Sequence, residues 1–170
     1  LDFCCGGKVA IDEACQKEGL NLQELMSELN SLEKEGVPPI SLERWTNAQL
    51  IHHIVDVHHR YILDTVPYLS QLLNKIASVH GERHPELVEI RDIYVEATNA
   101  LYDHMKKEEL ILFPAIESLE QAIEEDKQLP PFAFGSISNP IEEMEGEHDF
   151  EGESFKQIAA LSQNFTPPED

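Results

Sequence analysis

The chain has 170 residues, 41% of them apolar, with 33 acidic against 12 basic side chains and a formal net charge of -21. That length suits one moderate domain with a small appendage, and the apolar content can fill a core. The charge excludes nucleic acid and anionic membrane surfaces as partners, because both present repelling phosphate. No apolar run approaches the ~20 residues of a membrane span. No secretory leader is read at the start, although the chain opens on Leu1 rather than Met and its first residues are expected to be missing. Three cysteines, Cys4, Cys5 and Cys15, form an odd, clustered set unlike a secreted disulfide framework, so a reducing cytoplasm is expected.

Residues 1–40 read as a small N-terminal helical domain. Cys4-Cys5-Gly6-Gly7 is followed by two short helices, Ile11–Glu18 and Leu22–Glu35. Asn21 is the expected N-cap of the second and Gly36 its terminator. Val37-Pro38-Pro39-Ile40-Ser41 reads as a linker or tight turn. Residues 41–170 then form a second, bundle domain, with longer helices from about Thr46.

The apolar seam of the first bundle helix runs through Val55, His59, Ile62, Val66, Leu69, Leu73 and Ile76, in steps of three and four. Gly81-Glu82-Arg83-His84-Pro85 marks a turn. A second helix shows the same rhythm at Ile90, Tyr94, Ala97, Leu101, His104, Glu108, Ile111 and Ala115. Pro67 and Pro114 each remove a backbone donor and are expected to kink or stop these helices. A long connection, about residues 122–138, carries Pro130-Pro131-Phe132-Ala133-Phe134-Gly135 and is expected to pack over one end of the bundle. A third, weaker seam comes next at Ile141, Met144, His148, Phe155, Ile158 and Ser162, opening at Asn139-Pro140. No strand alternation is present, and the predicted class is all-α, an up-down helical bundle.

Seam positions of a bundle are normally apolar, and an imidazole or carboxylate there costs several kcal/mol unless paired. Here His59, His104, Glu108 and His148 all occupy seams. The histidines are spaced by 45 and 44 residues, with turns near the midpoints, so antiparallel folding brings all three to one level. His104 and Glu108, four apart, share a helix face. One seam histidine is commonly a satisfied core residue; three at one level with a carboxylate make a metal site. A mixed imidazole and carboxylate set favours iron or manganese, and Glu108 can bridge two ions. The same spacing asks for a fourth ligand near position 192, beyond Asp170.

The remaining histidines sort by geometry. His80 lies 21 residues after His59, ~31 Å along one helix, so the two cannot share a metal. His52 lies about 10 Å from His59 on the same stripe and is either packed or behind the site. His53, His58 and His84 are expected to be exposed; only His59, not His58, fits the seam. Cys4 and Cys5 form a candidate thiol site for metal or exchange chemistry, or else two small buried residues before a Gly-Gly turn. Cys15 is expected to be buried.

Several of these residues carry a family resemblance. Asp2-Phe3-Cys4-Cys5-Gly6-Gly7-Lys8 with Ile11-Asp12-Glu13-Ala14-Cys15 resembles the N-terminal domain of the di-iron iron-sulfur cluster repair proteins, the Ric, ScdA or YtfE family. His52-His53-Ile54-Val55-Asp56-Val57-His58-His59 with Pro67 resembles the first helix of its hemerythrin-like domain. Val79-His80-Gly81-Glu82-Arg83-His84-Pro85 is similar to the turn after it. His104-Met105-Lys106-Lys107-Glu108-Glu109 running into Leu112-Phe113-Pro114, and Glu145-Gly146-Glu147-His148-Asp149, resemble the second and third helices. The resemblance implies a non-haem di-iron centre in which His59, His104 and His148 match histidine ligands and Glu108 a bridging glutamate. His80 also matches a family histidine. Family members carry a fourth helix with a further His-x-x-x-Glu pair, after a proline-rich turn like Thr166-Pro167-Pro168-Glu169-Asp170. That pair is absent here, so three of four bundle helices are expected, with an open apolar face that a neighbouring chain, as in a homodimer, covers, or else a centre that is empty or altered.

The implied function is repair of iron-sulfur clusters damaged by nitric oxide or oxidants, by donation of iron to damaged iron-sulfur proteins. The alternative is reversible binding or reduction of a diatomic gas, O2 or NO, at the same centre, for which Cys4 and Cys5 have no use. A third reading is a helical interaction module with structural histidines, stable without metal. Whether the chain is an enzyme is left open by its residues.

Overall fold

The computed structural model describes residues 9–34 and 44–167. The chain divides into two compact units, Leu1–Trp45 and Thr46–Asp170. In the first, α1 (Ile11–Glu18) and α2 (Leu22–Lys34) pack on one another. Gly19 closes α1 in the left-handed conformation, at φ 68°, where it carries no Cβ penalty. The Asn21 side chain accepts from the amides of Gln23 and Glu24, so it caps α2 as its sequence position suggests. Cys15 is buried, while Cys4, Cys5, Gly36 and the proline segment at 37–41 lie outside the described residues.

The second unit opens on α3 (Asn47–His53). Thr46 and Gln49 form a reciprocal capping box at its start. A π-helical segment, Ile54–His59, joins α3 directly to α4 (Arg60–His80). After a turn at 81–84, α5 (Pro85–Lys107) runs back, with Pro85 in its first turn, where a missing amide costs nothing. A second π-helical segment, Glu108–Leu112, leads from α5 into α6 (Phe113–Glu124). A loop then returns the chain to α7 (Ser138–Leu161). Pairings α4 on α5, α5 on α7 and α3 on α6 build the bundle. Among the described residues no strand forms; the loop holds one isolated bridge, Phe132 to Gly135, beside stacked Phe132 and Phe134 rings.

Two apolar clusters form, one toward each end. Val66, Ile90, Tyr94 and Ile158 are the heart of the first; Leu112, Phe113 and Met144 are the heart of the second. On each long element the polar seam residues fall between them.

Several seam assignments change. A π-helical turn holds one residue more than the α-helical rhythm, so the segment at 108–112 shifts the phase of α6 relative to α5. Ile111, expected in the seam, is 46% exposed, while Leu112 and Phe113 are buried. On α7 the inward stripe runs through Pro140, Met144, Glu151, Ser154 and Ile158; Ile141 and Phe155 are exposed beside it. Leu69 and Ile76 of α4 are exposed, while Ala77 is buried and Val66 and Leu73 pack in one cluster with Ile90 and Tyr94 of α5. Pro67 sits inside a continuous α4, and Pro114 opens α6 rather than breaking it. α7 starts at Ser138, so Pro140 is not its first residue.

The buried Tyr94 hydroxyl has no hydrogen-bond partner among the described residues, which burdens the fold. Tyr94→Phe is expected to raise the stability of the metal-free protein by about 1 kcal/mol, read from its thermal midpoint. A lower midpoint would mean that the hydroxyl is satisfied in solution.

Candidate metal centre

Glu108 projects from the start of the second π-helical segment, with its side chain 13% exposed. One of its oxygens, Oε2, lies 3.0 Å from His59 Nε2. The other, Oε1, lies 3.5 Å from His104 Nε2. His148 Nε2 in turn lies 3.0 Å from His104 Nε2. One carboxylate thus stands between two imidazoles, and a third imidazole meets the second of them. His59 is 4% and His104 2% exposed. Donor atoms of His104, Glu108 and His148 all fall within 4.8 Å of one another.

The outer ring nitrogens are also taken. His59 Nδ1 lies 2.7 Å from Glu109 Oε1, and His104 Nδ1 lies 2.9 Å from Glu147 Oε2. Those carboxylates can only accept, so each Nδ1 carries its proton outward and each Nε2 turns inward. The inward contacts are then nitrogen lone pair against carboxylate oxygen, or lone pair against a second imidazole nitrogen. The carboxylate contacts at this range are favourable only with an extra proton or a cation between them, whereas a neutral His148 can meet His104 by donating its own Nε2 proton. Ligands ~2.1 Å from a shared metal at roughly right angles stand about 3 Å apart. The donor set therefore fits a metal, and the shared carboxylate fits two.

In the metal-free protein protons take the cation's part. Burial pulls the His104 imidazole down, but hydrogen bonds to Glu108 and Glu147 outweigh it and hold its pKa above the ordinary value. Burial pushes the Glu108 carboxyl up, but the His104 bond and the charges of His104 and His59 hold it below its ordinary value. Lys107 pairs with Glu143 at 2.7 Å and with Glu147, and these bonds raise its own pKa to about 12. Glu147 is thereby fixed from both sides.

The other candidates lie elsewhere. His52 is exposed and its Nδ1 donates to the Ala48 carbonyl at 2.7 Å, so it does not stand behind the site. His53 and His58 meet edge to face, with His58 exposed and His53 only half-buried. His84 is half-buried rather than exposed, held 2.9 Å from Glu86. His80 is exposed at the end of α4. Glu109 and Glu147 are not legible from the sequence as site residues. Glu109 and Glu147 each neighbour a site residue in sequence, and only the rotation of the π segment and the α5–α7 contact aim them at an imidazole.

Residues 50–170 match the hemerythrin HHE cation binding domain, and residues 1–33 match a domain of unknown function, DUF542. Fold and donor set together define a hemerythrin-like cation-binding helical bundle. The chain is 34% identical to the Haemophilus influenzae protein named "Probable iron-sulfur cluster repair protein", over 100% of this chain and 71% of that one. It is 35% identical to the iron-sulfur cluster repair protein YtfE of Yersinia pseudotuberculosis, over 99% of this chain and 71% of the relative. It is 26% identical to the iron-sulfur cluster repair protein ScdA of Staphylococcus haemolyticus, over 100% and 72%. The chain belongs to this family of iron-sulfur cluster repair proteins. Among the described residues no helix is long and apolar enough to cross a membrane.

A group whose folded pKa is raised stabilises fully below its unfolded value and loses that contribution as pH rises through the folded value. For His104 the loss therefore begins above the ordinary imidazole value of 6.5. Urea denaturation of the metal-free protein is expected to show stability falling as pH rises above about 6.5, and a shallower fall in His104→Ala. An unchanged slope in that variant would place the titration elsewhere.

Proposed function

We propose that this chain repairs damaged iron-sulfur clusters by donating iron from a centre held by His59, His104, Glu108 and His148. The observation that carries the reading is Glu108, whose two carboxylate oxygens address two different buried imidazoles. When bound, a pair of non-haem irons supplies exchangeable iron and redox chemistry. The chain's own residues supply the rest. Glu109 and Glu147 hold the His59 and His104 tautomers with Nε2 inward, and Lys107 holds Glu147. The two apolar clusters exclude water from either end. Glu109 is 42% exposed, so the His59 side of the site stays near solvent, as release of iron requires.

In this reading residues 1–40 form a client-facing domain whose Cys4 and Cys5 are the thiol site, and the setting is a reducing cytoplasm. The clients are iron-sulfur proteins damaged by nitric oxide or oxidants.

His104→Ala is expected to abolish both iron binding and reactivation of an oxidised iron-sulfur enzyme in a purified assay. Full reactivation by a variant that no longer holds iron would sink iron donation. Reactivation that survives Cys4→Ser with Cys5→Ser, alongside intact O2 or NO chemistry, would transfer the assignment to gas binding.

A further inference from the structure

Glu147 of α7 is shared between two donors from α5. Its Oε2 accepts the Nδ1 proton of His104 at 2.9 Å, and its Oε1 accepts from the Lys107 ammonium. Lys107 also donates to Glu143 Oε1 at 2.7 Å. Exposure falls along this relay, from 37% for the Lys107 side chain through 31% for Glu147 to 2% for His104. A surface charge is thus joined to a buried, inward-facing imidazole by two consecutive hydrogen bonds. The other oriented imidazole lacks the outer link. His59 Nδ1 meets Glu109 Oε1 at 2.7 Å, and among the described residues Glu109 has no lysine or arginine partner.

An imidazole whose Nδ1–H points at a carboxylate is a stronger ligand through Nε2, because the proton leans toward the anion as a metal draws charge from the ring. The gain depends on the basicity of the carboxylate. A lysine on the second carboxylate oxygen is a fixed positive charge at neutral pH and lowers that basicity. Lys107 therefore weakens His104 as a donor to metal. Its opposing contribution is to hold Glu147 still, and this is the smaller effect. Without Lys107, Glu147 keeps its imidazole donor, and at 31% exposure water can take the released oxygen. Water replaces the hydrogen bond but not the charge. The direct field of the ammonium at the centre is screened, since Lys107 reaches solvent and is paired with Glu143.

We propose that Lys107 is a positioning residue that weakens His104 as a metal ligand through Glu147 and so keeps the bound metal exchangeable. The use of an exchangeable metal rests on the iron-donation reading above; the effect on affinity does not. His104, Glu108 and His148 can hold one ion between them, so a single-metal probe reports on it.

The test is competition for Co2+ between the chelator-stripped protein and a chromophoric chelator, with release into excess chelator timed in the same samples. Lys107→Met keeps the aliphatic stem and removes the charge. It is expected to bind Co2+ about tenfold tighter than the wild type and to release it more slowly, at the lower end of the effects that outer partners of metal ligands have. Lys107→Arg is expected to match the wild type, and Lys107→Gln serves if the methionine variant does not fold. In a Glu147→Gln background, where the carboxylate is gone, Lys107→Met is expected to change the affinity by less than about twofold. Weaker or unchanged Co2+ binding in Lys107→Met would make the lysine a structural clamp and overturn the proposal. A gain that persists undiminished in Glu147→Gln would overturn the route through Glu147. Absence of Co2+ binding to the wild type would remove the centre and this role with it. Failure of the repair assay with these affinities intact would overturn iron donation alone.

Discussion

A buried carboxylate shared between two buried imidazoles governs how this bundle is built. Glu108 cannot stand at the interface of three elements unless positive charge meets both of its oxygens, and His59 and His104 are placed to bring it. Each imidazole must then be oriented, and an outer carboxylate does so in both cases. Glu147 in turn meets Lys107. The polar layer is thus a chain of mutual requirements from the solvent-facing Glu109 to the Lys107 pair, enclosed by an apolar cluster on either side.

The two π-helical segments belong to the same problem. His59 ends one and Glu108 begins the other. Each widened turn changes the helical phase beside a polar residue of the site. The apolar faces of α3 and α6 can then close on one another while α4 and α5 pair through a different stripe. Without that change of phase, one run of residues on an unbroken helix would have to serve both contacts. Phe113, stacked near His59 with ring centroids 6.1 Å apart, shows the outcome.

Much of this is legible in the residues because polar side chains at apolar seam positions are conspicuous. The all-α class, the turn at residues 81–85, the choice of His59 over His58 and the convergence of His59, His104, Glu108 and His148 come from period and spacing. Periodicity assumes one constant turn, so it points Ile111 inward where Leu112 and Phe113 are buried. It favours Phe155 over Ser154 because Phe155 is apolar, although Ser154 satisfies its hydroxyl on the Phe150 carbonyl and can be buried. Glu109 and Glu147 are hidden among 33 acidic residues, most of which only solvate helix faces. Nothing in a single sequence separates such a carboxylate from its neighbours until packing gives it a partner.

The central claim is that Glu108 is the shared carboxylate of an iron centre. Elemental mass spectrometry of protein purified from iron-replete cells, compared with its Glu108→Gln variant, tests it most directly. The account predicts that iron accompanies the wild type and is largely lost from the variant while the helical content of both is the same. Zinc alone, no metal, or iron retained equally by the variant would contradict it, and the buried histidines would then be structural.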